Sequence, residues 1–194
     1  QNFADFLEKR LFGPLGMKDT SFYPGEDQVK RMATSYKKTE KGLEPALPWV
    51  LAGKDYGDHS RYPRANGGLF STAEDYGKFL AMILNGGEAN GRRFLKAETI
   101  ADMKRARTDL VSNLDNVGFV KGNGYGIGWI DVKNPGGSTA ALSPGSSGHG
   151  GAFGTQGWID PVKGRYTVMI IQHANIGNGD NSEIRGKFQA AAAK

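Results

Sequence analysis

The stretch AFGTQGWIDPVKGRYTVMIIQH, residues 152–173, decides the fold class. Apolar residues alternate with polar ones at its two ends, which is typical of β-strands over residues 152–160 and 165–173. Between them, residues 160–164 carry a proline and a glycine where a tight turn favours them. Because a short turn joins antiparallel neighbours, the stretch predicts a β-hairpin.

Residues 125–132 predict a further strand, and helices are predicted on both sides of the strands. The first helix has its apolar face at Phe3, Phe6, Leu7 and Leu11, and should stop near Gly13-Pro14. The capping box Ser71-Thr72-Ala73-Glu74 begins a second helix, which Gly86-Gly87 ends. Further helices are expected at residues 96–107 and 182–192. This order predicts an α+β fold, in which helices cover an antiparallel sheet.

Residues 24–65 interrupt this regular pattern. They are rich in glycine, proline and charge, and we interpret them as a long surface excursion with a short strand near residues 33–36. Loops of this length in a compact protein often form the wall or the lid of a site.

The composition excludes several classes of function. The 194 residues contain no cysteine, so disulfides and thiolate metal sites are excluded, and either redox compartment is compatible. The net charge of +5 comes with no nucleic-acid-binding motif; its one dense patch, residues 104–107, ends a predicted helix, where it complements the helix dipole. The apolar runs are too short to span a bilayer.

Four segments together resemble the superfamily of class C β-lactamases and family VIII serine esterases, which are penicillin-binding-protein-like serine hydrolases. The segments are residues 11–17 (LFGPLGM) with Thr20, residues 66–75 (NGGLFSTAED), residues 125–129 (YGIGW), and residues 148–151 (GHGG) with Gly157-Trp158 and Asp160-Pro161. The resemblance covers nearly the whole chain. It implies that residues 1–194 form the C-terminal portion of one β-lactamase/transpeptidase-like domain, and therefore a partial fold.

The resemblance implies hydrolysis of an ester or amide through an acyl-serine intermediate, with no cofactor. The family's Ser-x-x-Lys and Tyr-x-Asn motifs precede the first segment, and the chain shows neither there. Ser35-Tyr36-Lys37-Lys38 matches Ser-x-x-Lys, but it falls in the charged excursion rather than at a buried helix start. We therefore expect the nucleophile region to be absent and this chain alone to be inactive. Its expected partners are a small acyl ester, amide or peptide substrate, and either the missing N-terminal half or a second copy.

By resemblance, the strand that borders the substrate begins at His149-Gly150-Gly151, and the N–H of Ala152 is an oxyanion donor. Loss of one such donor typically lowers the rate roughly a hundred- to a thousand-fold. The β-lactamases usually carry lysine where His149 stands. Because an imidazole holds a carboxylate more weakly than an ammonium does, an ester or small amide is favoured over a β-lactam. Gly67 and Gly68 are candidate substrate-binding residues, with Gly150.

Four alternatives stay open at this stage. The chain could be a non-catalytic acyl- or peptide-binding module with the same fold, or an independent enzyme that uses Ser35 and Lys38. His149 could lie in a surface turn. It could also bind a metal with His173, although no third ligand stands at a recognisable spacing, so no metal site is predicted.

Overall fold

The computed structural model describes residues 1–108, 123–173 and 183–194. Its helices are α1 (Phe3–Leu7), α2 (Gly13–Leu15), α3 (Glu26–Lys30), α4 (Ala73–Leu84), α5 (Ala97–Lys104) and α6 (Glu183–Ala192). Its strands are β1 (Tyr36–Thr39), β2 (Gly42–Pro45), β3 (Glu88–Ala89), β4 (Arg92–Arg93), β5 (Gly124–Tyr125), β6 (Ile130–Val132), β7 (Ser146–Gly150), β8 (Gln156–Asp160) and β9 (Arg165–Met169).

A five-stranded antiparallel sheet, in the order β5-β6-β7-β8-β9, forms the centre of the fold. Strand order follows chain order, as expected when short connections join neighbouring strands. The α+β prediction is confirmed, and so is the β8–β9 hairpin, in which Trp158 is paired with Thr167 and Asp160 with Arg165.

Helices cover the two faces of this sheet. On one face α4 packs so closely that a Cβ on Gly157 would lie 2.5 Å from the Tyr76 ring; Leu80 and Ile159 belong to the same buried cluster. On the other face lies a smaller cluster around Trp158. There α6 contacts the sheet through Gln189, whose side chain bonds Thr167 Oγ1 at 2.9 Å. Side chains alternate between the faces along β8, as the two-residue period requires.

The central strand β7 corrects one sequence prediction. The substrate-bordering strand was expected to begin at His149, but it begins at Ser146 and ends at Gly150. Its sequence, SSGHG, lacks apolar alternation. Gly148 is required because a Cβ there would lie 2.2 Å from the Gly157 carbonyl oxygen and 2.6 Å from the Trp158 ring.

The other strand predictions were too long. The strand predicted at residues 125–132 is split into β5 and β6 by a turn in which the Gly126 N–H bonds the Trp129 carbonyl at 2.7 Å. Gly128 in this turn has φ +73°, a conformation that favours glycine. The strand predicted at 152–160 begins only at Gln156, and the one predicted at 165–173 ends at Met169.

The helix starts and stops also differ in detail. The first helix does not stop at Gly13-Pro14, because a π-helical turn, Glu8–Phe12, leads directly into α2. Gly16, with φ +70°, ends it in the left-handed conformation common after helices. Helix α4 is capped by Thr72, whose side chain accepts from the Asp75 N–H, so the cap lies one residue after the predicted Ser71. Helix α5 ends at Lys104, three residues before the predicted end.

Residues 24–65 contain more regular structure than predicted. They include α3, the β1–β2 hairpin and a 3₁₀ turn, Trp49–Leu51. The strand expected at 33–36 is shifted, because β1 starts at Tyr36. Among the described residues, no helix combines the length and apolar character needed to cross a membrane.

Candidate active site

A cleft of about 950 Å³ opens where the ends of β7 and β8 meet the first turn of α4 and the excursion. Five of the six residues predicted for the site line it: Gly67, His149, Gly150, Gly151 and Ala152. Gly68 does not. It is buried, and a Cβ there would lie 2.7 Å from the Arg64 carbonyl oxygen, so this glycine is required for the turn.

The chain leaves β7 through a tight turn at the cleft wall. The Gly151 N–H bonds the Thr155 carbonyl at 2.8 Å, and the Gly154 N–H bonds the Gly151 carbonyl at 3.0 Å. Ala152 is exposed within this turn. In the part of the chain that the structure describes, the Ala152 N–H donates to no protein acceptor. It is therefore free to donate to a bound molecule.

His149 lies in β7 rather than in a surface turn, and it is half-buried. Its ring contacts the edge of the Tyr125 ring, with 5.7 Å between centroids and 80° between planes. Its Nδ1 lies against the Gly150 carbonyl oxygen. These two contacts fix the ring at the cleft wall, where it can donate or accept a hydrogen bond.

The floor of the cleft is apolar and tightly packed. Tyr76 of α4 lies against Gly157, which is paired with His149 on the neighbouring strand. Burial raises the pKa of the Tyr76 phenol, so this side chain stays neutral. Gly157 is small because Tyr76 occupies the space that a side chain would need.

The excursion supplies the opposite wall. Trp49 is 55% exposed and borders the cleft, with the Arg64 guanidinium 5.8 Å from its ring centroid. At the rim, Arg31 forms an ion pair with Asp19. The hydrogen bond from Arg31 lowers the pKa of the Asp19 carboxyl group. Arg31 is the one cationic side chain among the described residues that line the cleft, and Asp19 neutralises it.

The described serines near the cleft lack a basic partner. Ser71 lines the cleft, but its hydroxyl contacts Thr20 Oγ1 at 2.8 Å and the Thr72 carbonyl at 3.3 Å. Ser35 is 3% exposed and does not line the cleft, while Lys38 is exposed on β1. The Ser35 hydroxyl has no hydrogen-bond partner within the described structure, so Ser35 and Lys38 do not form a catalytic pair there.

Metal ligands are not brought together either. Across residues 1–108, 123–173 and 183–194, no three or more histidine, cysteine or acidic side chains are grouped as a metal site requires. His173 lies in an isolated bridge with Tyr36, where the excursion meets the end of β9.

Comparison with known proteins places the chain in the Beta-lactamase family, whose model matches residues 1–192. The chain belongs to this family, as its four segments predicted. It is 34% identical over 173 residues to Protein Rv1367c of Mycobacterium tuberculosis (strain ATCC 25618 / H37Rv), covering 86% of this chain and 42% of that protein. It is 25% identical over 187 residues to the D-alanyl-D-alanine-carboxypeptidase/endopeptidase AmpH of Escherichia coli (strain K12), covering 92% of this chain and 43% of AmpH. The chain thus spans less than half the length of these relatives.

Solved structures confirm the fold. EstCE1, described as a hydrolase with promiscuous acyltransferase activity, superposes with a TM-score of 0.70 at 20% identity, over 98% of this chain and 50% of EstCE1. A family VIII carboxylesterase superposes with a TM-score of 0.69 at 20% identity, over 100% of this chain and 51% of the esterase. The β-lactamase/transpeptidase-like fold is therefore shown.

Three features of the site were not predicted from the sequence. Tyr76 and Trp49 line the cleft, and buried Arg185 contacts the turn that carries Ala152. Tyr76 lies on the apolar stripe of α4, and the periodicity of that stripe does not show that it extends to a cleft. An arginine in a short amphipathic helix ordinarily indicates a solvated face.

Proposed function

We propose that the cleft holds the acyl group of an ester or small amide while a serine attacks its carbonyl carbon. The serine oxygen forms a bond to that carbon, the alcohol or amine departs, and water then hydrolyses the acyl-serine. The Ala152 N–H stabilises the negative oxygen that develops during attack. One observation carries this proposal: at the end of β7, beside His149, the Ala152 N–H lies at the cleft wall without a protein acceptor.

The charges of the cleft favour a neutral acyl group. A β-lactam carries a carboxylate, which a cation beside the carbonyl site would recognise. Here His149 stands at that position, and the cation that lines the cleft, Arg31, is paired with Asp19. Apolar walls, including Trp49 and Tyr76, suit an uncharged acyl chain. The proposed substrate is therefore an ester or small amide rather than a β-lactam.

The nucleophile in this proposal lies outside the 194 residues. Ser71 and Ser35 lack a hydrogen bond to a lysine, histidine or tyrosine within the described structure. The catalytic serine would therefore come from the remainder of a longer chain or from a separate chain. Exposed apolar side chains, among them Leu69 at the cleft and Phe3 and Phe6 on α1, support association. The isolated 194 residues should consequently change size with concentration in sedimentation velocity; a monomer at every concentration would contradict this association.

A serine-directed fluorophosphonate tests the proposed function. The probe is applied to the full-length protein, followed by intact mass and peptide mapping. We expect one adduct, on a serine outside these 194 residues, and protection by a neutral ester. Ser35→Ala and Ser71→Ala variants should label normally. An adduct on Ser35 or Ser71 would refute the location of the nucleophile.

A non-catalytic acyl- or peptide-binding module is the competing function. It would bind neutral esters in the cleft but gain no probe mass and release no alcohol. Ester binding without a probe adduct would contradict the hydrolase proposal and support the binding module, because it shows that no activated serine faces the cleft.

A further inference from the structure

Arg185 is a buried cation behind the Gly151–Thr155 turn. It lies on α6, is 2% exposed, and is not among the cleft-lining residues. Its Nη2 donates to the Gly151 carbonyl oxygen at 2.6 Å and to the Thr155 carbonyl oxygen at 3.1 Å. Arginine is rarely buried to this degree unless its charge is compensated. The two carbonyl contacts therefore offset part of the cost of burying the guanidinium.

The first of these bonds acts on the peptide group that contains the proposed oxyanion donor. The Gly151 carbonyl and the Ala152 N–H belong to one planar unit, and in a trans peptide the C=O and N–H bonds point in opposite directions. A bond that fixes the oxygen therefore fixes the direction of the N–H. Since Arg185 holds the oxygen from the α6 side, the N–H is directed away from it.

The same bond also changes the strength of the donor. A guanidinium that donates to the carbonyl oxygen polarises the amide. Hydrogen bonds to the two ends of one amide strengthen each other. The Ala152 N–H should therefore be a stronger donor than an amide whose carbonyl faces water. Helix α6 is also attached to β8 directly after this turn, because the Gln156 side-chain nitrogen bonds the Arg185 carbonyl at 3.3 Å.

We infer that Arg185 is a positioning residue for catalysis, which orients and polarises the Gly151–Ala152 peptide so that its N–H meets the developing oxyanion. This inference rests on the proposed function. It assigns to α6, a helix outside the cleft, a direct effect on the rate of the chemical step. Arg185 itself touches no substrate.

A simpler explanation would be that Arg185 only attaches α6 to the sheet. The chain offers a matched control in Arg165, whose Nη1 donates to the Ala192 carbonyl at 2.7 Å and so attaches the other end of the same helix. Within the described structure, Arg165 makes no hydrogen bond to the 151–155 turn, since its guanidinium donates to the carbonyls of Ala192 and Ala141. If helix attachment is what matters, substitution of either arginine should lower the rate. If the Gly151–Ala152 peptide is what matters, only substitution of Arg185 should do so.

The test compares Arg185→Met, Arg185→Lys and Arg165→Met in the full-length protein, with an ester and its thionoester. Sulfur accepts a hydrogen bond from the oxyanion donor less well than oxygen, so the rate ratio of the two substrates reports on that donor. We expect Arg185→Met to lower kcat for the ester roughly 10- to 100-fold, with KM within about twofold, and to lower the ester-to-thionoester ratio. Arg185→Lys should recover part of both losses, and Arg165→Met should leave the ratio unchanged.

Equal losses for ester and thionoester, or the same loss in Arg165→Met, would overturn the inference and leave the proposed function standing. If the wild-type protein turns over no ester, the proposed function fails instead. NMR then decides on Arg185 alone: the ¹³C shift of the Gly151 carbonyl and the ¹⁵N shift of the Ala152 amide should move in Arg185→Met and stay fixed in Arg165→Met. Unmoved signals in a folded Arg185→Met would refute the polarised peptide.

Discussion

Thr20 Oγ1 donates to Asp75 Oδ2 at 3.1 Å, across 55 positions of sequence. The same carboxylate accepts the Asp19 N–H at 2.7 Å and the Lys78 ammonium at 2.8 Å. Two of the four family-like segments, the turn that ends with Thr20 and the start of α4, are thus joined by one buried carboxylate. This junction sets the position of the α4 wall of the cleft.

Asp75→Ala should lower the free energy of unfolding by about 2–3 kcal/mol, because it leaves the Asp19 N–H and the Thr20 hydroxyl without their acceptor. The matched control is Asp27→Ala, since Asp27 also pairs with a lysine three residues away but has a 95% exposed side chain. That change should stay within about 0.5 kcal/mol. Urea unfolding measures both, and equal effects would contradict the structural role of Asp75.

Gly148→Ala and Gly186→Ala should change stability in opposite directions. A Cβ on Gly148 would meet the Gly157 backbone and the Trp158 ring, so this variant should lose about 1–3 kcal/mol or more. At Gly186, within α6, the nearest heavy atom to a new Cβ is 3.7 Å away, and alanine is a better helix former by up to about 1 kcal/mol. Thermal unfolding of the two variants and the wild type measures both changes. A Gly148→Ala variant as stable as the wild type would contradict the close strand packing.

Asp160 should stabilise the protein in a pH-dependent manner. Burial alone would raise the pKa of its carboxyl group, but the N–H groups of Lys163 and Ser143 and the Ser143 hydroxyl outweigh burial, and the net pKa is lowered. A carboxylate whose pKa is lowered by folding stabilises the folded state above its unfolded pKa of about 4, and loses this contribution as the pH falls through the lowered value.

Asp160→Asn should therefore be about 1–3 kcal/mol less stable than the wild type near pH 7. The difference between the two should narrow as the pH falls from about 5 to 2. Urea unfolding at a series of pH values measures this difference directly, and other carboxylates cancel in it. A difference that is constant with pH would contradict the hydrogen-bonded carboxylate.

His149→Lys should shift substrate preference toward anionic acyl groups. A lysine there would place an ammonium group next to the proposed carbonyl site, which attracts a carboxylate. We expect kcat/KM for an ester with a carboxylate in its acyl part to rise relative to its neutral analogue, by about 10-fold. His149→Gln, which keeps a hydrogen-bonding group without the charge, is the control and should leave the ratio unchanged. An unchanged ratio in His149→Lys would place His149 outside the acyl site.

Sequence patterns predicted those parts of the fold that repeat an apolar period. The β8–β9 hairpin and α4 follow such periods, and both are found close to the expected positions. β7 could not be found in this way. A glycine is required at position 148 because Trp158 and the backbone of β8 occupy the space that a side chain would need. That close neighbour is revealed only by strand pairing.

Sequence patterns likewise predicted only part of the candidate site. The residues predicted by resemblance, His149 to Ala152, lie together because they are consecutive at the end of one strand. Gly68 does not line the cleft. A glycine that permits a turn and one that borders a ligand look alike in sequence. Arg185 is 33 positions from Ala152, so only the folded sheet shows that its charge is directed at the Gly151 carbonyl.

The most direct test of the central claim is a crystal structure of this chain, together with the polypeptide proposed to supply the serine, after reaction with a fluorophosphonate. The phosphonyl oxygen of the adduct stands in for the oxyanion of the tetrahedral intermediate. If the cleft is an acyl-transfer site, this oxygen should lie about 2.7–3.1 Å from the Ala152 nitrogen, with the fluoride of the probe replaced by a serine oxygen. A phosphonyl oxygen bound elsewhere, with the Ala152 N–H still directed at solvent, would contradict the account.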